Sequence, residues 1–78
     1  MIGKMIKKMR LDNGLNQEKV SKLVNIGRTT LSDYEREKTD INFETLENIA
    51  KVCNYKIVFI NKITKEELQV KDLKRKDL

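Results

Sequence analysis

Between Gly27 and Lys38 the chain sets out Arg28, Thr29, Ser32 and Asp33 at the i, i+1, i+4 and i+5 spacing that shares one side of a helix, with Leu31 and Tyr34 left for the other side. A guanidinium, two hydroxyls and a carboxylate on one helix face offer donors and acceptors for hydrogen bonding to flat polar edges. The chemistry is recognition. Bond-making chemistry is poorly supplied, because there is no histidine and a single cysteine, Cys53. A histidine-based triad, a Cys/His zinc site and an intramolecular disulfide are excluded, and no nucleophile and base pair stands out. We therefore expect no enzyme activity, no metal and no cofactor.

The chain that must hold this face has 78 residues, 38% hydrophobic and 37% charged, which allows one small domain with a modest core. Association with a second copy would bury more apolar surface. Lysine and arginine number 17 against 12 aspartate and glutamate, giving a net charge of +5. That balance favours anionic partners, nucleic acid ahead of acidic lipid. A free thiol at Cys53 fits a reducing cytoplasm. No apolar run approaches the roughly 20 residues of a membrane span, and the start Met-Ile-Gly-Lys-Met lacks a secretory stretch. The expectation is a cytoplasmic chain, mature as written and without membrane contact.

Four helices follow from apolar spacing and end signals. Ile2, Ile6 and Met9 mark one face of the first, from about Ile2 to Asp12, which Asn13-Gly14 stops. Asn16 caps a short second helix that runs through Val20 and Leu23 to about Val24. Asn25 follows where a tight turn needs positive φ, and a third helix covers about Arg28 to Glu37. Asn42 caps a fourth, whose face is Phe43, Leu46, Ile49, Ala50 and Cys53. Tyr55 to Ile60 is β-branched and aromatic and reads as a strand, with Leu68-Gln69-Val70 as its hairpin partner. A rival reading takes Thr64-Lys65-Glu66-Glu67 as the capping box of a last helix carrying Leu68 and Leu73.

Two short helices joined by a tight turn, the second exposing polar side chains, make a helix-turn-helix over Gln17 to Arg36. An α-helix fits the DNA major groove, and its outer side chains can then meet base edges. The residues resemble the Cro/C1-type, XRE-like helix-turn-helix family without a gap from Ile2 to Cys53. The resemblance rests on Ile2-Gly3 with Arg10, Gly14-Leu15-Asn16-Gln17, Ser21, the stretch Asn25-Ile26-Gly27-Arg28-Thr29-Thr30-Leu31-Ser32, Glu35, and Glu44-Thr45-Leu46. Where the family commonly has glycine in the turn, a serine cap, a later glycine and a proline, this chain has Asn25, Gly27, Glu37 and Ile41.

The resemblance implies a mainly α, lambda-repressor-like domain of four to five short helices over residues 1–54; the β-branched run and the charged end add a C-terminal β element over 55–71 and a charged tail over 72–78. The resemblance also implies base reading by Arg28, Thr29, Ser32 and Asp33. Arg28 suits guanine O6 and N7, with a phosphate contact or a solvated charge as the alternative. Asp33 either accepts from a cytosine amino group or fixes Arg28 or Lys19. Phosphate contacts are implied for Gln17, Gly27, Thr30, Arg36, Lys38, Asn42 and the Phe43 backbone, although Lys38 also fits a solvated face. Arg10 and Glu35 match a partly buried ion pair of the family. Met5, Met9 and Tyr34 read as core or core edge, and Cys53 as a small core hydrophobe.

Ile57, Val58, Phe59 and Ile60 put apolar groups on both faces of the strand, so it needs cover from a hairpin or a second copy. Similar additions build the dimer in HipB-like antitoxins of this superfamily. The expected function is a homodimeric repressor that reads a palindromic operator in double-stranded DNA. The alternative is an antitoxin that neutralises a toxin protein and regulates its own operon.

Overall fold

The computed structural model describes residues 1–74 and shows four helices followed by a two-stranded antiparallel hairpin and a short 3-10 helix. The helices are α1 (Ile2–Asp12), α2 (Gln17–Val24), α3 (Arg28–Glu35) and α4 (Phe43–Val52). The strands are β1 (Phe59–Ile60) and β2 (Glu67–Leu68), and the 3-10 helix is Val70–Lys74. Residues 75–78 of the expected charged tail lie outside the described residues.

One buried residue or more from each helix builds the core: Ile6 from α1, Val20 from α2, Leu31 from α3, Ile49 from α4, and Cys53 just beyond it. Met9, Leu15, Val24, Tyr34 and Leu46 pack around them. Burial of the Cys53 thiol pushes its pKa up, as removal of the charged form from water requires. Asparagine does most of the local punctuation. The side chains of Asn16 and Asn42 accept the N–H groups of Lys19 and Thr45, each at 2.8 Å, and so cap α2 and α4. Gly14 leaves α1 at φ 65° and Asn54 turns the chain away from α4 at φ 63°.

Several expectations need correction. Met5 is 55% exposed and does not belong to the core, because it sits on the solvent side of the Ile6 stripe. Leu23 is also exposed; Val24 takes the inward position beside Val20. The third helix stops at Glu35, two residues early, because Glu37 adopts φ 61°. Its carboxylate turns back to the start of α1, contacting the Met1 amine and accepting the Gly3 N–H at 3.1 Å. Those contacts, the amine first, hold the Glu37 carboxyl below its ordinary range.

The strand is shorter than the Tyr55 to Ile60 run suggests. Tyr55 donates its N–H to the Ala50 carbonyl at 2.8 Å and its hydroxyl to Asp12 at 2.7 Å, so this stretch straps α4 to α1 before any pairing starts. Pairing covers Phe59 with Leu68 and Ile60 with Glu67. The expected partner Leu68-Gln69-Val70 therefore contributes only Leu68, and apart from Phe59, Ile60, Glu67 and Leu68 the 55–71 element is coil, turn or the start of the 3-10 helix. The rival helix from Thr64 does not form. Asn61 accepts the N–H groups of Ile63 and Thr64, and Thr64 accepts that of Glu66, closing a turn where the capping box was read. The hairpin stands off the bundle, touching it through a stack of Phe59 on Phe43 with ring centroids 6.3 Å apart.

Candidate nucleic-acid interface

The turn between α2 and α3 is set by backbone requirements. Asn25 sits at φ 59° and ψ 48°, a left-handed conformation that asparagine tolerates, and the Ile26 N–H returns to the Ser21 carbonyl at 2.9 Å. Ile26 then packs against the core, and extended Gly27 opens α3. Gly27 has no side chain to cap the first turn, so the N-terminal N–H groups of α3 keep no side-chain acceptor. Buried Leu31 fixes the rotation of α3 about its axis. That rotation leaves Arg28, Thr29 and Thr30 exposed and Ser32 and Asp33 half-buried.

Arg28 makes no ion pair among the described residues, which leaves its guanidinium available at the exposed start of the helix. Asp33 pairs with Arg36 at 2.9 Å across one turn. Of its two expected intramolecular partners, Arg28 and Lys19, it takes neither, because Arg36 is the cation placed at i+3. The signal for this pair was in the sequence spacing.

Beneath α3 lies a connected polar cluster. Arg10 donates from Nε to Glu35 Oε2 at 2.7 Å and from Nη2 to Oε1 at 3.0 Å, a two-point contact with both residues under 9% exposed. The Glu35 hydrogen bond raises the Arg10 pKa against the opposing effect of burial. Arg10 Nη1 also donates to the Leu15 carbonyl at 2.9 Å, and Gln17 Nε2 donates to Glu35 Oε1 at 3.2 Å. The network thus joins α1, the entry to α2 and the end of α3. Sequence reading missed the Gln17 link, since nothing in local spacing brings residues 17 and 35 together.

Gln17 is half-buried in that network, and Lys38 projects from the loop after α3 with its N–H on the Asp33 carbonyl at 2.9 Å. Asn42 and Phe43 are exposed at the start of α4. Of the four residues read as a dimer surface, Ile57 and Val58 are half-buried, while Phe59 and Ile60 are 60% and 57% exposed. No helix among the described residues is long and apolar enough to cross a membrane.

With this geometry in place, comparison with known proteins is direct. A helix-turn-helix family model, of the XRE-like Cro/C1 type, matches residues 6–60. The crystal structure of a point mutant of the restriction-modification controller protein C.Esp1396I superposes with a TM-score of 0.65 at 33% identity, covering 69% of this chain and 70% of that one. No curated protein matches the chain. A family match across most of the sequence, on a bundle that carries the α2, turn and α3 arrangement, makes this chain a member of the XRE-like Cro/C1 helix-turn-helix family of DNA-binding transcriptional regulators.

Proposed function

We propose that the chain acts as a homodimeric repressor that reads a palindromic operator with α3. The observation that supports this most is the exposed Arg28, without an ion-pair partner among the described residues, at the start of α3 where no side chain caps the helix, held in orientation by buried Leu31. In this reading Arg28, Thr29, Ser32 and Asp33 face base edges. Gln17, Gly27, Thr30, Arg36, Lys38, Asn42 and the Phe43 backbone meet phosphates, supplying affinity that is nearly blind to sequence. The hairpin, with Ile57, Val58, Phe59 and Ile60, joins two copies so that two α3 helices fall about 34 Å apart on one face of the duplex. The likeness to a restriction-modification controller favours a regulator over an antitoxin.

Enrichment of random duplex DNA on the purified protein tests the reading. The expected product is a palindrome whose half-sites lie about one helical turn apart. Enrichment of no sequence, or of a single unrepeated half-site, would overturn it. Co-purification of a toxin protein that the chain inhibits would instead support the antitoxin reading.

A further inference from the structure

The hairpin ends in a built knob. Asn61 accepts the N–H groups of Ile63 and Thr64 through its side chain at 2.9 and 3.1 Å, and its carbonyl accepts the Lys65 N–H at 2.8 Å. The Asn61 N–H donates to the Glu66 carbonyl at 2.9 Å, so the turn is closed on both sides. At its crest Ile63 is 91% exposed, the most exposed large apolar side chain of the described residues. Lys62 and Lys65 flank it, and Glu66 and Glu67 follow on the stem.

At the foot of the same hairpin an open groove of about 670 Å³ runs between α4 and the chain around Ile57 and Val70. Phe43, Tyr55, Ile57 and Val70 give it apolar walls. Its charges are Glu44, Glu47 and Lys51 along α4, the glutamates at the Phe43 end, and Lys56 and Lys71 from the chain that follows. Glu44 and Lys51 are separated by about 10 Å of helix rise. The hairpin carries lysines, Lys62 and Lys65, at the tip and glutamates, Glu66 and Glu67, on the stem. On one chain the knob lies at the far end of the hairpin, and none of residues 61–66 lines the groove.

We infer that the groove receives the Ile63 knob of a second copy, and that the second copy's groove receives this one in return. Ile63 fills the apolar walls while Lys62 and Lys65 face Glu44 and Glu47. The stem glutamates then approach the groove's lysines, Lys51, Lys56 and Lys71. Such an exchange is isologous, each patch meeting its complement across a two-fold axis, so it closes as a dimer. It covers the most exposed large apolar side chain of the described residues, and its closed turn is preorganised for docking. This rests on the homodimer reading above and specifies how that dimer is held.

Two charge-swapped chains test it: E44K with E47K, and K62E with K65E. Each alone sets like charges against like in both halves of the interface, whereas a mixed pair sets opposite charges in both halves. Sedimentation should show wild type as a dimer, each swapped chain alone as a monomer at the same concentration, and their equimolar mixture as a dimer. Ile63→Ser should weaken the wild-type dimer at least tenfold. Far-UV circular dichroism accompanies every chain, and single swaps E47K and K65E replace any double that loses helix. Swapped chains that dimerise alone like wild type, or a mixture that stays monomeric, would overturn the inference while leaving a dimeric regulator intact. A wild-type chain that is monomeric both free and on its selected DNA would overturn the homodimer reading as well.

Discussion

The Tyr55 hydroxyl donates a 2.7 Å hydrogen bond to Oδ2 of Asp12, closing the exit of α4 onto the end of α1 across 43 residues of sequence. Two further bonds support this seam. Asn54 Nδ2 donates to Asn13 Oδ1 at 3.0 Å, and Asn13 Nδ2 donates to the Cys53 carbonyl. The seam explains why the chain from Tyr55 to Val58 stays out of the sheet.

The same contact gives a pH signature. The Tyr55 hydroxyl first, and then Lys8, hold the Asp12 carboxyl below its ordinary value. A carboxyl with a depressed folded pKa contributes stability above its unfolded pKa of about 3.9, and loses it as pH falls through the folded value. In Tyr55→Phe the NMR titration midpoint of Asp12 should rise toward the ordinary value, and the stability lost in acid should shrink. An unmoved midpoint would show that the hydroxyl does not bond Asp12 in solution.

Arg10 and Glu35 should behave as one unit. Removing either alone strands a buried charge and should cost roughly 3–5 kcal/mol, while Arg10→Met combined with Glu35→Leu should recover much of the loss. Glu35→Leu also frees Gln17 Nε2, so its DNA affinity should fall further than its stability at the assay temperature explains. Denaturant melts of the two single variants and the double decide the coupling; additive losses would argue against it.

Gly3 is required by a close approach. A Cβ there would lie 2.5 Å from the Glu35 and Tyr34 carbonyl oxygens, both backbone atoms that cannot swing aside. Gly3→Ala should therefore push α1 away from the end of α3 and destabilise by about 1–3 kcal/mol. Helix propensity alone predicts the opposite sign, since alanine favours an exposed helix interior over glycine. A thermal melt raised by the substitution would show that the two helices separate without strain.

These cases show which features the sequence made legible. Asn16, Asn25 and Asn42 announced their places because capping and positive φ are local properties of side chain and backbone. Ile6, Val20, Leu31, Ile49 and Cys53 followed from helical spacing. Met5 and Leu23 misled because each helix is narrow, and one step around it separates core from water. Glu37 is a long-range effect: its left-handed backbone is tied to Gly3, 34 residues away. The β-branched run after Asn54 signalled extended chain correctly but not where pairing begins, which the Tyr55 strap decides. In the candidate interface, helix phase indicated that Arg28 and Thr29 face water, while the Asp33 to Arg36 and Gln17 to Glu35 bonds set what the neighbouring groups are free to do.

That difference separates two kinds of DNA-binding variant. Arg28 has no partner among the described ion pairs and stands at the start of α3, so Arg28→Ala should level the preference at one base position of the selected site, a discrimination of about 1–3 kcal/mol. Arg36 is held by Asp33, pointing its charge from a fixed place near the helix end. Arg36→Ala should instead weaken all sequences together and reduce the salt dependence by about one counterion. Asp33→Ala releases Arg36 and should resemble the second class if its carboxylate serves to position that side chain. It should resemble the first if the carboxylate reads a cytosine. Binding measured over a panel of single-base operator variants at two salt concentrations sorts the three, and an Arg28→Ala chain with an unchanged base profile would remove Arg28 from the reading surface.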